Sequence, residues 1–325
     1  MKVLVTGASG FLGSHVAEQL IKAGHAVRVL VRKTSNRKFL QSLQGIEFAE
    51  GSVEEAARVD EAAAGVDAIV HSAGIVKART PEEFHRTNVQ GTRNLLEAAR
   101  KVAGLRRFVH VSSLEASGPS RDGKPVPITQ ESPVTEYGRS KLLAEKACLE
   151  FKDGLPITIL RPTAIYGPRD VEILEAFRSV KRGVLPVTGD GKILYTFTYG
   201  PDCAAACVCA LEAQVPSGST YFVSDGDVWE QKQAMSKIED AFKKRAFLRA
   251  GVPFGVVRAA ALLVEAYGKV ANKPVMLTRE KARMLSQHFV CDSRETQEAL
   301  GWKPSVPWVE GALLTARWYE ENGWL

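Results

Sequence analysis

Short apolar runs alternate with amphipathic stretches along the first half of the chain. The apolar runs predict strands at residues 3–5, 26–31, 46–49, 68–70, 107–111 and 157–160. Amphipathic patterns that predict helices lie between these runs, and the longest of them covers residues 81–102. Because strands and helices alternate, we expect an α/β fold built on a doubly wound parallel sheet.

The composition is that of an ordinary globular protein, and its charge is mildly basic. The 325 residues are 45% hydrophobic and 25% charged, with a formal net charge of +6. The cations are scattered, so we expect no nucleic-acid partner, whereas a polyanionic cofactor would suit the surplus. No run of about 20 apolar residues is present, so no transmembrane segment is expected.

The cysteines indicate a reducing compartment. They are Cys148, Cys203, Cys207, Cys209 and Cys291. Their odd number in a chain of this length argues against a disulfide framework, so we expect a cytoplasmic location. Three of them cluster among alanines without His, Asp or Glu at ligand spacing, which predicts helix packing and no metal site.

A glycine-rich turn follows the first strand and opens the first helix, the context in which such a turn binds a dinucleotide. Gly7 permits the tight turn, Gly10 lets the backbone approach a phosphate, and Gly13 lets the helix pack close to the strand. The free N–H groups at the helix start would then bind a pyrophosphate, as in a Rossmann-type sheet. The alternative is a plain strand-to-helix loop.

Basic residues follow the second strand, where an acidic side chain would bind the ribose diol of NAD(H). Here Arg32 and Lys33 take that place, and Ser35, Arg37 and Lys38 follow. Cations suit a 2′-phosphate, so we expect NADP(H) as the preferred cofactor, with NAD(H) as the alternative. A solvated basic loop would show the same sequence.

Polar and small residues follow several of the predicted strands. His71-Ser72-Ala73-Gly74 follows the fourth strand, Ser112-Ser113 the fifth, and Pro162-Thr163 the sixth. Ligands of doubly wound sheets bind beyond the carboxyl ends of the strands, so we expect these residues to converge. His71 by itself is interpreted as structural, and an asparagine inside a helix, such as Asn88, would ordinarily face solvent.

Tyr137 and Lys141 are four residues apart, so both side chains leave one face of a predicted helix. A neighbouring ammonium favours the ionised phenol and would lower its pKa from about 10. Such a pair can transfer a proton next to a carbonyl or an alcohol. A solvated surface pair would have the same spacing, so the interpretation depends on the rest of the chain.

These motifs together resemble the extended short-chain dehydrogenase/reductase family. The motifs, in chain order, are Thr6-Gly7-x-x-Gly10-x-x-Gly13, Asn88-Val89-x-Gly91-Thr92, Ser113 with Gly118, Tyr137-x-x-x-Lys141 and Arg161-Pro162-x-x-x-Tyr166-Gly167-Pro168. The resemblance implies that Tyr137 is the general acid/base and that Lys141 lowers its pKa and holds the nicotinamide ribose. It also implies that Ser113 hydrogen-bonds the substrate oxygen and that Asn88 orients the catalytic group.

The resemblance further implies the cofactor contacts and the organisation of the chain. Cofactor contacts are implied for Gly7, Ser9, Gly10, Phe11, Leu12, Arg32, Lys33, Ser52, Val53, Ser72, Ala73, Gly74, Tyr137, Lys141, Pro162, Thr163 and Ile165. Residues 1–168 would form the dinucleotide-binding domain, to which 192–224 return in part. Residues 169–191 and 225–325 would form a smaller, mostly helical substrate domain, and a homodimer is expected.

Two positions depart from the patterns of the family. Family members usually carry Gly-Asp after the third strand, where the aspartate binds the adenine, whereas this chain has Gly51-Ser52. Members that act on nucleotide sugars carry glutamine, then arginine and an acidic residue, where this chain has Ile193, Tyr195 and Thr196. The arginine serves the diphosphate, and a desolvated diphosphate without a cation would bind poorly.

We therefore expect an NADP(H)-dependent oxidoreductase that interconverts a ketone and a secondary alcohol on a bulky hydrophobic molecule, contacted by Glu115, Ile193 and Tyr195. Residues 273–278 and the closing Leu300-Gly301-Trp302 segment also resemble the 3β-hydroxysteroid dehydrogenase-like and dihydroflavonol-reductase-like branches. A nucleotide-sugar epimerase or dehydratase is the alternative. A non-catalytic cofactor-binding scaffold is a second one, although such proteins usually lose the tyrosine or the lysine.

The second half of the chain is predicted to be mainly helical. Helical patterns cover residues 171–182, 202–213 and 228–248, and a short strand is predicted at 221–223. Residues 252–264 form the most apolar stretch. This stretch is either a buried helix or an apolar lid that covers a lipophilic substrate and contacts a membrane surface. Basic residues suited to anionic headgroups flank it, namely Arg245, Arg249, Arg258, Lys269 and Lys273.

Overall fold

The computed structural model describes residues 1–275 and 277–325. Its strands are β1 Lys2–Thr6, β2 Ala26–Val31, β3 Ile46–Glu50, β4 Ala68–His71, β5 Arg107–Val111, β6 Ile157–Pro162, β7 Ala164–Tyr166, β8 Leu194–Tyr195, β9 Phe197–Tyr199, β10 Ser219–Val223 and β11 Trp229–Glu230. Met276, in the segment that resembles the steroid dehydrogenase-like branches, and the side chain of Lys269 lie outside the described residues.

Helices connect most of these strands. They are α1 Phe11–Lys22, α2 Lys38–Gln41, α3 Ala56–Ala63, α4 Pro81–Phe84, α5 Gly91–Arg100, α6 Leu114–Ser117, α7 Glu136–Glu150, α8 Leu174–Lys181, α9 Gly200–Glu212, α10 Gln231–Ala241, α11 Phe254–Ala271, α12 Arg279–Met284, α13 Arg294–Leu300 and α14 Trp308–Glu321. A π-helical segment, His85–Gln90, joins α4 to α5.

Seven strands form one parallel sheet in the order β10-β6-β5-β4-β1-β2-β3. The direction of winding reverses between β1 and β4, so a crevice opens beyond the carboxyl ends of these two strands. The glycine turn leaves β1 there, and His71 ends β4 there. The predicted doubly wound, Rossmann-type α/β fold is confirmed.

Each face of the sheet is covered, because successive strand residues point to opposite sides. In β1, Val3 and Val5 pack against α1 and α9, whereas Leu4 packs with the side chains of α3, α5 and α7 on the other face. Cys203 and Cys207 lie on the α9 side, buried among the alanines of that helix. These cysteines therefore fill the core, as their surroundings predict.

An aromatic cluster holds α8, α10 and α14 together outside the sheet. Phe197 stacks on Trp308 with ring centroids 4.1 Å apart, and Tyr166 meets the same indole edge-on at 4.6 Å. The buried carboxylate of Asp202 accepts hydrogen bonds from the backbone N–H groups of Ser305 and Val306, both at 2.9 Å. This carboxylate anchors the segment that leads into α14.

Two predicted helices are shorter than their sequence patterns. The helix predicted over 171–182 begins only at Leu174, because the Asp170 carboxylate accepts the preceding N–H groups of Glu172 (2.8 Å) and Ile173 (3.0 Å). The one predicted over 228–248 is limited to Gln231–Ala241. Two features turn the chain after it: Lys243 adopts a φ of 51°, and the Ala246 N–H donates to Glu239 at 2.7 Å.

The apolar stretch at 252–264 forms most of α11, and only one face of this helix is covered. Val257 and Ala261 are buried against α12, whereas Leu263 and Val270 on the other side are exposed. The interpretation of this stretch as a plain buried helix is therefore wrong for its outer face. No helix within the described part of the chain is long and apolar enough to cross a membrane.

Candidate active site

The glycine turn has backbone geometry that only glycine can supply at two positions. Gly7 has a φ of 75°, and a Cβ atom there would lie 2.7 Å from the backbone nitrogen of Ala73. A Cβ atom at Gly13 would lie 2.3 Å from the Gly7 carbonyl oxygen. Ser9 and Gly10 are exposed, and no side chain among the described residues caps the start of α1 at Phe11 and Leu12. The turn thus leaves free N–H groups and room for a pyrophosphate, which fits a dinucleotide.

The segment after β4 lies beside this turn. The Ser72 hydroxyl donates to the Thr6 carbonyl (2.8 Å), and the Ala73 N–H donates to the Thr6 hydroxyl (3.3 Å). A Cβ atom at Gly74 would lie 3.2 Å from Asn88 Oδ1 and 3.8 Å from Lys141 Nζ. The segment after β4 therefore lies between the glycine turn and the predicted catalytic lysine.

His71 is a structural residue at the end of β4. Its ring nitrogens lie 2.7 Å from the Thr6 hydroxyl and 2.9 Å from the Thr92 hydroxyl, inside the core. Burial, together with the charge of Lys141, lowers the pKa of His71 to about 3. A neutral imidazole that joins a strand to α5 agrees with the structural interpretation.

Asn88 is buried in the π-helical segment and does not face solvent. Its Oδ1 accepts the Ile75 N–H at 2.8 Å, and its Nδ2 donates to the Ile75 carbonyl (3.1 Å) and to Ser140 Oγ (2.8 Å). The general expectation for an asparagine in a helix is therefore wrong here. Asn88 ties the loop after β4 to α7 one residue before Lys141.

Tyr137 lies in the first turn of α7, which packs against α6. The Thr135 hydroxyl accepts the Gly138 N–H at 2.9 Å and donates to Glu115 Oε2 at 2.7 Å. A Cβ atom at Gly138 would lie 2.4 Å from the Glu115 carbonyl oxygen, so this glycine lets the two helices meet. Ser113 caps α6, where its Oγ accepts the Glu115 N–H at 3.1 Å.

The pKa shifts of the two central ionisable groups, Tyr137 and Lys141, follow mainly from burial. Burial raises the pKa of Tyr137 above its ordinary value, the charge of Glu115 adds to this, and a hydrogen bond with Ser113 opposes it. Burial lowers the pKa of Lys141 to about 8. The Lys141 amine donates to the Val111 carbonyl at 2.5 Å. The expected lowering of the Tyr137 pKa by Lys141 is therefore wrong, because burial and Glu115 raise this pKa and the Lys141 amine donates to the Val111 carbonyl instead.

A buried ionic network joins α7 to the sheet. The sequence did not predict it. Arg161, at the end of β6, donates to both carboxylate oxygens of Glu145, at 2.9 and 2.6 Å. Arg161 also donates to Ser117 Oγ at 2.9 Å, and Ser112 donates to Glu145. Glu145 lies four residues after Lys141 on the same helix face, a spacing that could have pointed to it.

The loops after β2 and β3 enclose a surface depression of about 460 Å³. It is lined by Arg28, Arg32, Lys33, Glu47, Ala49, Glu50, Gly51, Glu55, Arg58, Glu61 and Ala62. Arg32 and Lys33 form no ion pair with any residue that the structure describes, whereas Glu50 is held by Arg37 at 2.8 Å. Arg58 was not predicted, because it comes from α3 and meets the others only in space.

The residues after β3 differ in what they contact. The Ser52 N–H donates to Glu55 Oε2 at 2.7 Å, and Ser52 Oγ accepts the Glu54 N–H at 3.3 Å, so both groups serve the turn into α3. A Cβ atom at Gly91 would lie 2.7 Å from Val53 Cγ2. Val53 therefore sets how closely α5 approaches this edge of the sheet.

The end of β6 and the residues after it lie against β9 and β10. The Thr163 N–H donates to the Val223 carbonyl at 3.1 Å, and its hydroxyl donates to the Thr196 carbonyl at 2.7 Å. Pro162 ends β6, and Ile165 packs against the core cluster beneath α1. These contacts hold the segment after β6 against β10 and the start of β9.

A hydrophobic cluster, here called the apolar wall, begins directly after Ser113, with five of its nine residues buried and four partly buried. Its residues are Leu114, Val126, Ile128, Val134, Tyr195, Phe222, Met284, Phe289 and Cys291. Leu114 directly follows Ser113, and Val134 lies three residues before Tyr137. Tyr195, a predicted substrate contact, belongs to this wall. Ile193 does not, and its carbonyl instead accepts the Gln231 N–H at 2.8 Å.

Comparison with known proteins agrees with this geometry. The model of the NAD dependent epimerase/dehydratase family matches residues 3–224. The chain belongs to this family. It is an extended short-chain dehydrogenase/reductase, and its class is that of NAD(P)-dependent oxidoreductases.

Relatives of this family member cover its whole length. Ceramide reductase of Caulobacter vibrioides is 33% identical over 328 residues, covering 99% of this chain and 96% of the relative. Sterol demethylase protein B of Methylococcus capsulatus is 37% identical over 338 residues, covering 99% of both chains. The solved structure of UDP-glucose 4-epimerase from Thermotoga maritima has a TM-score of 0.81 at 24% identity, covering 99% of both chains, which shows the shared fold.

Proposed function

We propose that this family member is an NADP(H)-dependent enzyme that interconverts a ketone and a secondary alcohol on a bulky hydrophobic molecule. The observation that carries the proposal is the apolar wall, which begins at Leu114, directly after Ser113. A substrate whose oxygen contacts Ser113 and Tyr137 would place the rest of its surface against apolar side chains. Burial of that surface would supply most of the binding free energy.

The chemistry of the reaction is a hydride transfer, which a bound nicotinamide supplies or accepts. In the reducing direction, Tyr137 donates its phenolic proton to the carbonyl oxygen, and Ser113 hydrogen-bonds the same oxygen. The raised pKa of Tyr137 keeps the phenol protonated at neutral pH, which suits a proton donor. In the oxidising direction, Tyr137 accepts the proton of the alcohol.

Lys141 and Asn88 would position this reaction. The Lys141 amine donates to the Val111 carbonyl and lies close to Gly74, beside which the nicotinamide ribose would bind. Asn88 holds Ser140 and the Ile75 backbone, so it fixes α7 relative to that segment. Glu115 lies between Thr135 and Lys281, with its carboxylate 3.6 Å from the lysine amine. It would contact the substrate at the entrance to the apolar wall.

The preference for NADP(H) rests on two cations of the depression, Arg32 and Lys33, because its lining as a whole balances basic and acidic side chains. A 2′-phosphate bound there would meet Arg32 and Lys33, which are exposed and form no ion pair with the described residues. Arg58 lines the same depression, although it lies 2.8 Å from Glu61. Charge-assisted hydrogen bonds from these cations would bind a phosphate more strongly than a ribose hydroxyl.

The names of the relatives support a lipophilic substrate. One relative is named for ceramide and the other for a sterol, and both names denote lipids. In this chain Tyr195 stands where enzymes of nucleotide sugars carry an arginine, and it packs into the wall. The wall contains no cation among its described residues, so a desolvated diphosphate would bind there poorly. A lipid-like ketone would bind well, because it carries no such charge.

The division of the chain and its assembly are further parts of this proposal. Residues 1–168 would bind the cofactor, and residues 169–191 and 225–325 would form the substrate domain. This domain would share the apolar wall with the first one, since it supplies Met284, Phe289 and Cys291. Leu143 and Leu149 on α7 are partly exposed, which would suit a two-fold contact between two copies of that helix. Light scattering on the purified protein would then give the mass of a dimer.

A screen of NADPH oxidation tests the proposed function. The candidate substrates are steroid ketones, long-chain β-keto compounds, flavonoid ketones and nucleotide sugars. We expect NADPH consumption with at least one hydrophobic ketone class and none with nucleotide sugars. Conversion of a UDP- or dTDP-sugar without net NADPH consumption would show an epimerase or dehydratase instead. Cofactor binding without turnover of any class would favour a non-catalytic protein.

A further inference from the structure

The outer face of α11 presents an apolar stripe to solvent. It consists of Val256, Leu263, Tyr267 and Val270, which are 55%, 74%, 63% and 90% exposed. Their spacings of seven, four and three residues place all four side chains on one side of the helix. Single exposed apolar residues are common, but a continuous stripe along an 18-residue helix indicates an interaction surface.

The inner face of the same helix is already occupied. Val257 and Ala261 pack against Ala282 of α12 and the neighbouring Leu277 and Leu285. Because the inner face is packed in this way, the stripe cannot reach the core by a simple rotation of α11. The stripe is therefore a second apolar face whose partner lies outside the described chain.

The charge around the stripe selects the kind of partner. Residues 243–273 contain seven lysines and arginines and one acidic residue, Glu265. Arg245 and Arg249 are paired with Glu239, which leaves five cations against the one carboxylate of Glu265. Glu265 is itself paired with Arg279 at 2.6 Å. Arg258 and Lys273 are exposed close to the ends of the helix. A second copy of this chain would bring the same cations face to face, whereas an anionic surface would neutralise them.

We propose that the α11 stripe docks onto the surface of an anionic lipid bilayer. The four apolar side chains would enter the region between headgroups and acyl chains, and the surrounding cations would contact the lipid phosphates. Tyr267 suits this depth, because its ring is apolar and its hydroxyl is polar. The helix lies on the membrane and does not cross it, which agrees with the absence of a membrane-spanning helix in the described residues.

The docked helix is connected to the candidate active site through α12. Glu280 of α12 accepts the backbone N–H of Glu136 at 2.7 Å, and Lys281 lies 3.6 Å from Glu115. Met284 of the same helix belongs to the apolar wall. A lipid-like ketone could thus move from the bilayer to Tyr137 beneath α11 and α12. This consequence rests on the proposed function, but the docking itself does not.

Vesicle co-sedimentation of the full-length protein tests the docking without any measurement of turnover. The probes are vesicles of phosphatidylcholine alone and vesicles of phosphatidylcholine with phosphatidylglycerol. We expect binding to the anionic vesicles, weaker binding to the neutral ones, and release by added salt. The variant Leu263→Gln with Val270→Gln should bind anionic vesicles about tenfold more weakly or worse, because two apolar contacts are lost.

A matched control is available on α14, where Val309 and Leu313 are 47% and 40% exposed. Changing both of these to glutamine should leave vesicle binding as in the wild type. NADPH binding by each variant reports that the fold is intact. The proposal is overturned if the wild type binds neither vesicle, if the α11 variant binds as well as the wild type, or if the α11 variant dissociates a dimer. Loss of reductase activity alone would bear on the proposed function only.

Discussion

Arg161 and Glu145 form an ion pair of 2.6 Å whose side chains are only 4% and 3% exposed. It joins β6 to α7 four residues beyond Lys141. Replacing Glu145 with glutamine should lower the free energy of unfolding by about 3–5 kcal/mol, because the guanidinium would stay buried without its counter-charge. Urea unfolding followed by circular dichroism measures this loss.

The same helix offers a control for that substitution. Glu150 pairs with Arg93 at 2.8 Å, but its side chain is 54% exposed. Glu150→Gln should therefore change the free energy of unfolding by no more than about 1 kcal/mol. Equal losses for the two variants would mean that the buried pair has no special role in holding α7 against the sheet.

Lys141 should make stability depend on pH. Its pKa is lowered from 10.5 to about 8 by burial, so between these values the unfolded chain holds a proton that the folded protein has released. Lys141 should then contribute a rise in stability of about 3 kcal/mol across this window. Cys148 and Cys291, whose pKa values burial raises, contribute a fall above about pH 9, so the effect of Lys141 is read as the difference between the wild type and Lys141→Met. Lys141→Met should lack this rise.

Urea midpoints of the cofactor-free protein measured across the window test this prediction. Lys146→Met is the control, because Lys146 lies on the same helix with its side chain 50% exposed and paired with Glu131 at 2.9 Å. It should keep the pH dependence of the wild type. If Lys141→Met shows the same slope as the wild type, the amine is not the group that titrates.

The sequence predicted the sheet and much of the candidate site because those features are local. A strand followed by Gly7, Gly10 and Gly13 needs no distant partner to be interpreted, and strand ends must converge in a parallel sheet. Asn88 was harder, since its burial depends on Ile75 and Ser140, which lie 13 and 52 residues away.

Features that depend on pairing in space could not be predicted. Arg58 joins Arg32 and Lys33 only because a helix returns beside the second strand. Residues 252–264 have the composition of a buried helix, and only the packing of Val257 and Ala261 shows which face is covered. Whether the pKa of Tyr137 is raised or lowered also depends on burial and on Glu115. Neighbouring residue types in the sequence reveal neither of these.

Arg32 should determine which cofactor is preferred. Arg32→Asp removes an exposed cation from the depression and adds a negative charge, so the KM for NADPH should rise about tenfold to hundredfold. The KM for NADH should change much less. Lys38→Asp is the matched control, because Lys38 is exposed but does not line the depression. An unchanged ratio of the two KM values for Arg32→Asp would remove Arg32 from the phosphate site.

The central claim is that Tyr137 transfers the proton between enzyme and substrate oxygen. Tyr137→Phe removes only the phenolic hydroxyl and keeps the ring contact with Phe84, whose centroid lies 6.4 Å away. The most direct measurement compares NADPH binding and ketone turnover of this variant with those of the wild type, using whichever ketone the screen identifies. We expect unchanged NADPH affinity and loss of turnover by about 100-fold or more. A phenylalanine variant that reduces the ketone at the wild-type rate would contradict this claim.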